Sequence, residues 1–122
     1  MFKTWLFVAL LFSYLGYSFI VYTSGTESSI TLDEEAKTGR SIFQKFNCTS
    51  CHQVYGLGGY LGPDLTTAWS DPARGEGYMR AFLQRGGRRM PNFHLNKKEV
   101  DALAGYLKHI DATALKIKSG IK

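Results

Sequence analysis

The sequence holds only two cysteines in 122 residues, and both fall in one five-residue stretch. No second pair exists to cross-link distant segments, so a disulfide scaffold is excluded and cysteine usage says nothing of the compartment. No charged side chain occurs between Lys3 and Glu27. No internal repeat and no strand-period alternation is present, which leaves helices and irregular loops as the building material. Acid is scarce in one region: only Glu76 opposes Arg74, Arg80, Arg85, Arg88, Arg89, Lys97 and Lys98, and the formal charge of the whole chain is +5. A solvated basic face accounts for that cluster as well as a surface for an acidic partner does. The length allows one modest domain plus accessories.

The uncharged interval is the first positive feature. Its core, Trp5 to Thr23, is rich in Leu, Phe, Val, Ile and Tyr. As a helix it would run about 28 Å at about 1.5 Å per residue, near the thickness of a bilayer's hydrocarbon. A cleaved signal peptide has a shorter apolar region and a small-residue cleavage site. Here Tyr14, Tyr17 and Tyr22 interrupt the late part and no Ala-x-Ala follows, which favours an uncleaved anchor over residues 1–25. Lys3 and the amino terminus favour a cytoplasmic start, which exports the rest of the chain to the periplasmic side of a bacterial inner membrane. Ala9, Ser13 and Gly16 share one helical face that admits close approach of another membrane helix, although chance in a short segment gives the same spacing.

Residues 26–31 read as a short tether. Thr31 and Glu34 then fit a capping box opening a helix to about Phe46, with Ala36, Gly39, Ile42, Phe43 and Phe46 on its apolar face. Glycine inside a helix costs roughly 1 kcal/mol against alanine, so Gly39 implies a close neighbour. Gly56, Gly58, Gly59, Gly62 and Pro63 exclude a helix or a central strand, and the interleaved Tyr55, Leu57, Tyr60, Leu61 and Leu65 make a compact wrap. A short helix is expected over 77–85, closed by Gly86 and Gly87. Asn96 caps a last helix to about Asp111, with Val100, Leu103, Tyr106, Leu107 and Ile110 inward. The basic tail, 112–122, is expected to fray.

The two cysteines stand in Cys48-Thr49-Ser50-Cys51-His52. This is the spacing for covalent attachment of one c-type haem, whose vinyl groups the thiols take while the histidine reaches the iron. The competing readings fare worse. A zinc site would need four ligands, and His94 and His109 lie at no zinc-module spacing. A redox Cys pair expects a βαβ context, and a lone nucleophile leaves the other cysteine and His52 unexplained. A haem motif and a membrane segment together point away from nucleic acid as a partner.

An electron carrier needs a second axial ligand. Met90 sits between Gly86-Gly87 and Pro91 on a constrained loop, and His/Met ligation raises the potential. Met1 is terminal and Met79 falls in an apolar helical pattern suited to a core. His94 remains a competitor to Met90, as does an open site. Arg88 and Arg89 can pair with haem propionates or face an acidic partner. Tyr60 and Trp69 can hydrogen-bond a propionate, or simply pack.

The helix with Gly39 and Phe43, the Cys-x-x-Cys-His, the Met-Pro loop and the helix with Leu103, Tyr106 and Leu107 together resemble a class I cytochrome c. That fold is all-α, with its N- and C-terminal helices crossing closely; here it would span 32–111 after one transmembrane helix. In c-type cytochromes the carbonyl of the proline after such a wrap often accepts the free ring N–H of the ligating histidine, a role Pro63 could take unless it is a plain turn proline. More narrowly, CTSCHQVYGLGGYLGPDL (Cys48 to Leu65) and RRMPNFHLNKKEVDALAGYL (Arg88 to Leu107) are similar to the cytochrome c subunit of bacterial nitric-oxide reductase. That resemblance implies a membrane-anchored monohaem electron carrier, not itself catalytic. It would take electrons from a soluble periplasmic donor and pass them to a large haem-containing catalytic membrane subunit. The alternatives are a free-standing anchored shuttle to another oxidase or reductase, and a haem gas sensor.

Overall fold

The computed structural model describes residues 1–27 and 32–120. The chain divides into two compact units, Met1–Thr31 and Leu32–Lys122.

The first unit is one helix, α1 (Phe2–Glu27), a few residues longer at each end than the apolar core of the sequence. Within it Phe2–Ser24 is long and apolar enough to cross a membrane, and none of that stretch is buried in the protein. Thr23 Oγ1 donates back to the Phe19 carbonyl at 2.8 Å, so its hydroxyl needs no outside partner.

The second unit combines helices with a minimal hairpin and irregular loops. Helix α2 (Glu34–Lys45) is capped by Asp33, whose carboxylate accepts the Ala36 N–H at 2.7 Å. This corrects the expected Thr31 cap: Asp33 stands one residue before the helix, where its oxygen reaches the third N–H. Thr31 itself lies outside the described residues. A 3₁₀ turn (Cys48–Ser50) follows. Two-residue strands β1 (Gln53–Val54) and β2 (Leu57–Gly58) then pair antiparallel, Gln53 opposite Gly58 and Val54 opposite Leu57. The glycine-rich run thus holds a short hairpin as well as a wrap.

Helix α3 (Gly75–Arg85) begins two residues earlier than expected and closes at Gly86, whose N–H returns to the Phe82 carbonyl. Helix α4 (Lys97–Gly120) opens with a reciprocal cap. Asn96 Oδ1 accepts the Glu99 N–H at 3.0 Å, and Glu99 Oε2 accepts the Asn96 N–H at 2.9 Å. The expected fraying after Asp111 is not what the structure shows: α4 continues to Gly120. Asp111 and Thr113 are both buried there, Thr113 Oγ1 donates to the His109 carbonyl, and no Pro or Gly lies between Asp111 and Gly120.

The core is formed where α2 and α4 meet, with Phe43, Ala68, Met79, Leu103, Leu107 and Ile110 in one buried cluster. Gly39 is what lets the two helices touch. A Cβ there would overlap the Ala102 carbonyl and stand 2.7 Å from the Tyr106 Cβ. Phe43 and Tyr106 close the crossing edge to face, ring centres 5.6 Å apart. Arg80 ties α3 to α4 by pairing with Asp101 at 2.5 Å while also holding Glu76 at 2.7 Å.

Candidate haem site

The site grows out of the turn that ends α2. Asn47 takes a left-handed conformation (φ 51°), tolerable for asparagine, and turns the chain into Cys48–Ser50. His52 N–H then returns to the Cys48 carbonyl at 2.9 Å, so both cysteines and the histidine belong to one tight turn. Cys48 packs against the core, and burial pushes its thiol pKa up. Cys48 and Cys51 are both half-buried free thiols.

His52 is the most tightly specified side chain in the region. Its Nδ1 lies 2.8 Å from the Pro63 carbonyl. A carbonyl can only accept, so Nδ1 must carry the proton, and in the neutral ring the lone pair is left on Nε2. Nε2 makes no hydrogen bond among the described residues, which is the state a metal ligand requires. Gly62 supplies a wall for the ring: a Cβ there would stand 2.6 Å from Nδ1 and 2.9 Å from Nε2. Gly62 N–H in turn bonds the Cys51 carbonyl at 2.7 Å, locking the wall to the motif.

The other expected residues are placed less decisively. Met90 is half-buried, and its carbonyl accepts the Gly87 N–H at 2.8 Å, which fixes its backbone in a turn. His94 is exposed, in a left-handed conformation, with its N–H on Asn92 Oδ1. Trp69 is half-buried against the core, with the Lys108 ammonium 5.5 Å above its ring. Arg88 and Arg89 are exposed and form no ion pair among the described residues. Tyr60 is 88% exposed and lies with Leu57 (76%) and Leu61 (71%) in the glycine-rich wrap. Three large apolar side chains bare on one loop are unusual for a finished surface and fit a loop that lies against a flat apolar group.

Three residues that the sequence did not single out for the site also bear on it. Thr66 Oγ1 accepts the Tyr55 N–H at 2.7 Å, Tyr55 donates its hydroxyl to the Ile110 carbonyl at 3.0 Å, and the buried Asp111 accepts the Ser70 N–H at 2.7 Å. Each bond joins segments far apart in sequence, so no local spacing announces it.

The residues present fit a haem: an oriented imidazole with its outer nitrogen free, two thiols on the same turn, and an apolar wrap beside them. Among the described residues no group of three or more His, Cys, Asp or Glu side chains is placed to hold a metal ion by itself, so the ligand count of a closed zinc site is not met.

This chain is a c-type cytochrome. It belongs to the family described as cytochrome c oxidase, cbb3-type, subunit III, which matches residues 34–107, from the start of α2 into α4. A family member of this kind carries haem c. Among curated proteins the chain is similar to the C subunit of the nitric oxide reductase of Stutzerimonas stutzeri, 32% identical over 92 residues, covering 67% of this chain and 61% of that protein. The corresponding nitric oxide reductase proteins of Halomonas halodenitrificans (26% over 92 residues; 66% and 61%) and Cereibacter sphaeroides (26% over 102 residues; 74% and 68%) are also similar. The chain spans 61% of the length of the first two of these relatives.

Proposed function

We propose that this chain is a membrane-anchored monohaem cytochrome c that serves as the electron-input subunit of a nitric-oxide-reductase-like complex. In this reading α1 is the anchor and the second unit faces the periplasm. A soluble donor there would deliver electrons for passage to a large haem-containing catalytic membrane subunit. The observation that carries the haem reading is the 2.8 Å bond from His52 Nδ1 to the Pro63 carbonyl inside the Cys-x-x-Cys-His turn.

Haem c, when bound, supplies a one-electron couple. The residues around it have separate tasks. Cys48 and Cys51 would hold it covalently. His52, oriented by Pro63 and backed by Gly62, would offer Nε2 to the iron. Met90, on its fixed turn, would supply the second iron ligand, and with both ligands drawn from the chain the group would carry electrons rather than bind a substrate. Tyr60 and Trp69, with Arg88 and Arg89, are the candidate partners for the propionates. Support for the reductase complex comes from the three nitric oxide reductase relatives. The oxidase wording of the matching family supports a second reading, an anchored shuttle serving another terminal oxidase.

Purification from membranes in mild detergent tests both. The chain should run with a larger haem-containing subunit, keep its haem through denaturing electrophoresis, and lose a methionine–iron charge-transfer band in Met90→Ala. A chain that runs alone sinks the subunit reading, and haem released on denaturation sinks covalent attachment.

A further inference from the structure

The proton on His52 Nδ1 is only as secure as the position of the Pro63 carbonyl, and Pro63 has no N–H of its own with which to be held. Its neighbours hold it. Thr66 N–H donates to Asp64 Oδ1 at 2.7 Å, closing a turn directly after the proline. Leu65 N–H donates to the Gln53 carbonyl at 2.9 Å, and Thr66 Oγ1 accepts the Tyr55 N–H at 2.7 Å. Residues 64–66 therefore hang from the β1–β2 hairpin by two adjacent bonds. The hairpin hangs from α4 in turn. Tyr55 takes φ 53°, uncommon for a residue with a large side chain, and its hydroxyl reaches the Ile110 carbonyl at 3.0 Å. A chain of contacts thus runs from Ile110 through Tyr55 and Thr66 to the residue beside Pro63.

We infer that Tyr55 and Thr66 are positioning residues that set the strength of the His52–Pro63 hydrogen bond and, through it, how strongly His52 Nε2 donates. The inference rests on the reading of His52 as an iron ligand. The chemistry is direct: the more firmly a carbonyl draws on the Nδ1 proton, the more basic the opposite nitrogen becomes. A more strongly donating ligand favours oxidised iron and lowers the potential. Thr66 could otherwise serve only to close its own turn, and the two roles separate experimentally.

The test uses the full haem-loaded chain in detergent, with Thr66→Val, Thr66→Ser and Tyr55→Phe. Valine keeps the shape of threonine and removes the acceptor for Tyr55 N–H. Loss of one hydrogen bond of ordinary net strength should make opening of the turn about fivefold more frequent. Exchange of the His52 Nδ1 proton, followed by NMR, should speed up to match, and the reduction potential should rise. Thr66→Ser restores the oxygen and should return both to wild type. Tyr55→Phe frees the hairpin from Ile110 and should move both in the same direction as Thr66→Val. If Thr66→Val unfolds more easily but leaves exchange and potential unchanged, Thr66 is merely structural and the inference is overturned. His52→Ala separates the underlying reading: an unaltered haem spectrum there removes His52 as ligand. Nδ1 exchange in haem-loaded wild type and Thr66→Val still decides whether the positioning chain operates.

Discussion

Gly39 offers the sharpest quantitative test of the helix crossing that supports the site. An added methyl at this position meets backbone, since it would overlap the Ala102 carbonyl and stand 2.7 Å from its carbon. Backbone of a packed helix cannot swing aside as a side-chain tip can, so α2 and α4 must separate. Overpacking a rigid site costs about 3 kcal/mol at the upper end of its usual range. Alanine's better helix propensity offsets about 1 kcal/mol of that. The net expectation for Gly39→Ala is a loss of about 2 kcal/mol, or roughly 8–16 °C in the unfolding midpoint of a domain this size. Gly77→Ala is the matched control, because nothing lies within 4 Å of a Cβ built there. With propensity alone acting, it should stabilise by up to about 1 kcal/mol. Thermal unfolding of the purified full chain, followed by far-UV circular dichroism, reads both. Opposite signs are required. A Gly39→Ala protein that melts at or above the wild-type temperature, beside a normal Gly77→Ala, would show that the helices do not meet at this glycine.

Gly62→Ala is expected to leave the fold largely intact and damage the site. The ring of His52 must retreat by about 1 Å to reach ordinary contact distance, which stretches its bond to Pro63 beyond hydrogen-bonding range; an unchanged haem spectrum and unchanged Nδ1 exchange would contradict this. Asp111→Leu leaves the Ser70 N–H without its acceptor and should cost about 1–3 kcal/mol in urea unfolding, while Asp111→Asn, which keeps an oxygen, should cost clearly less. Asp71 is held below the usual carboxylate range, first by the Ala73 N–H and then by the Arg74 side chain. A depressed folded pKa means that its contribution is present above the unfolded value and fades as pH falls through the folded one. Unfolding midpoints from about pH 5 down to about pH 2 should therefore drop less steeply for Asp71→Asn than for wild type.

What the sequence disclosed was what short spacing can encode. The Cys48–His52 turn, the apolar face of α4 with Val100, Leu103, Leu107 and Ile110, the Asn96 cap and the close neighbour implied by Gly39 each depend on residues within one or two helical turns. Met79 could be assigned to the core because its neighbours Tyr78, Phe82 and Leu83 complete a helical pattern. The features that escaped depend on long-range partners. Asp111 is where the sequence pattern ends the last helix, yet its carboxylate accepts the Ser70 N–H and α4 continues past it, a tertiary contact that no local spacing announces. Thr66 and Tyr55 carry no motif at all. Their bond joins positions eleven apart, and Tyr55 also reaches a carbonyl 55 residues away. The α2 cap was misplaced for a different reason: Thr31 and Asp33 are both good capping residues, and a two-residue offset is not decided by residue type.

Pro63 has one further consequence. A carboxylate beside an imidazole can take its proton; an amide carbonyl cannot. By putting a carbonyl opposite Nδ1, the chain removes the nearest base to which His52 might surrender that proton when the charge on its outer nitrogen's partner changes. An electron could then enter and leave this centre without a proton travelling with it through the histidine. For a protein whose proposed task is to relay single electrons, that arrangement would let the ring keep the same hydrogen bond in both charge states of the centre.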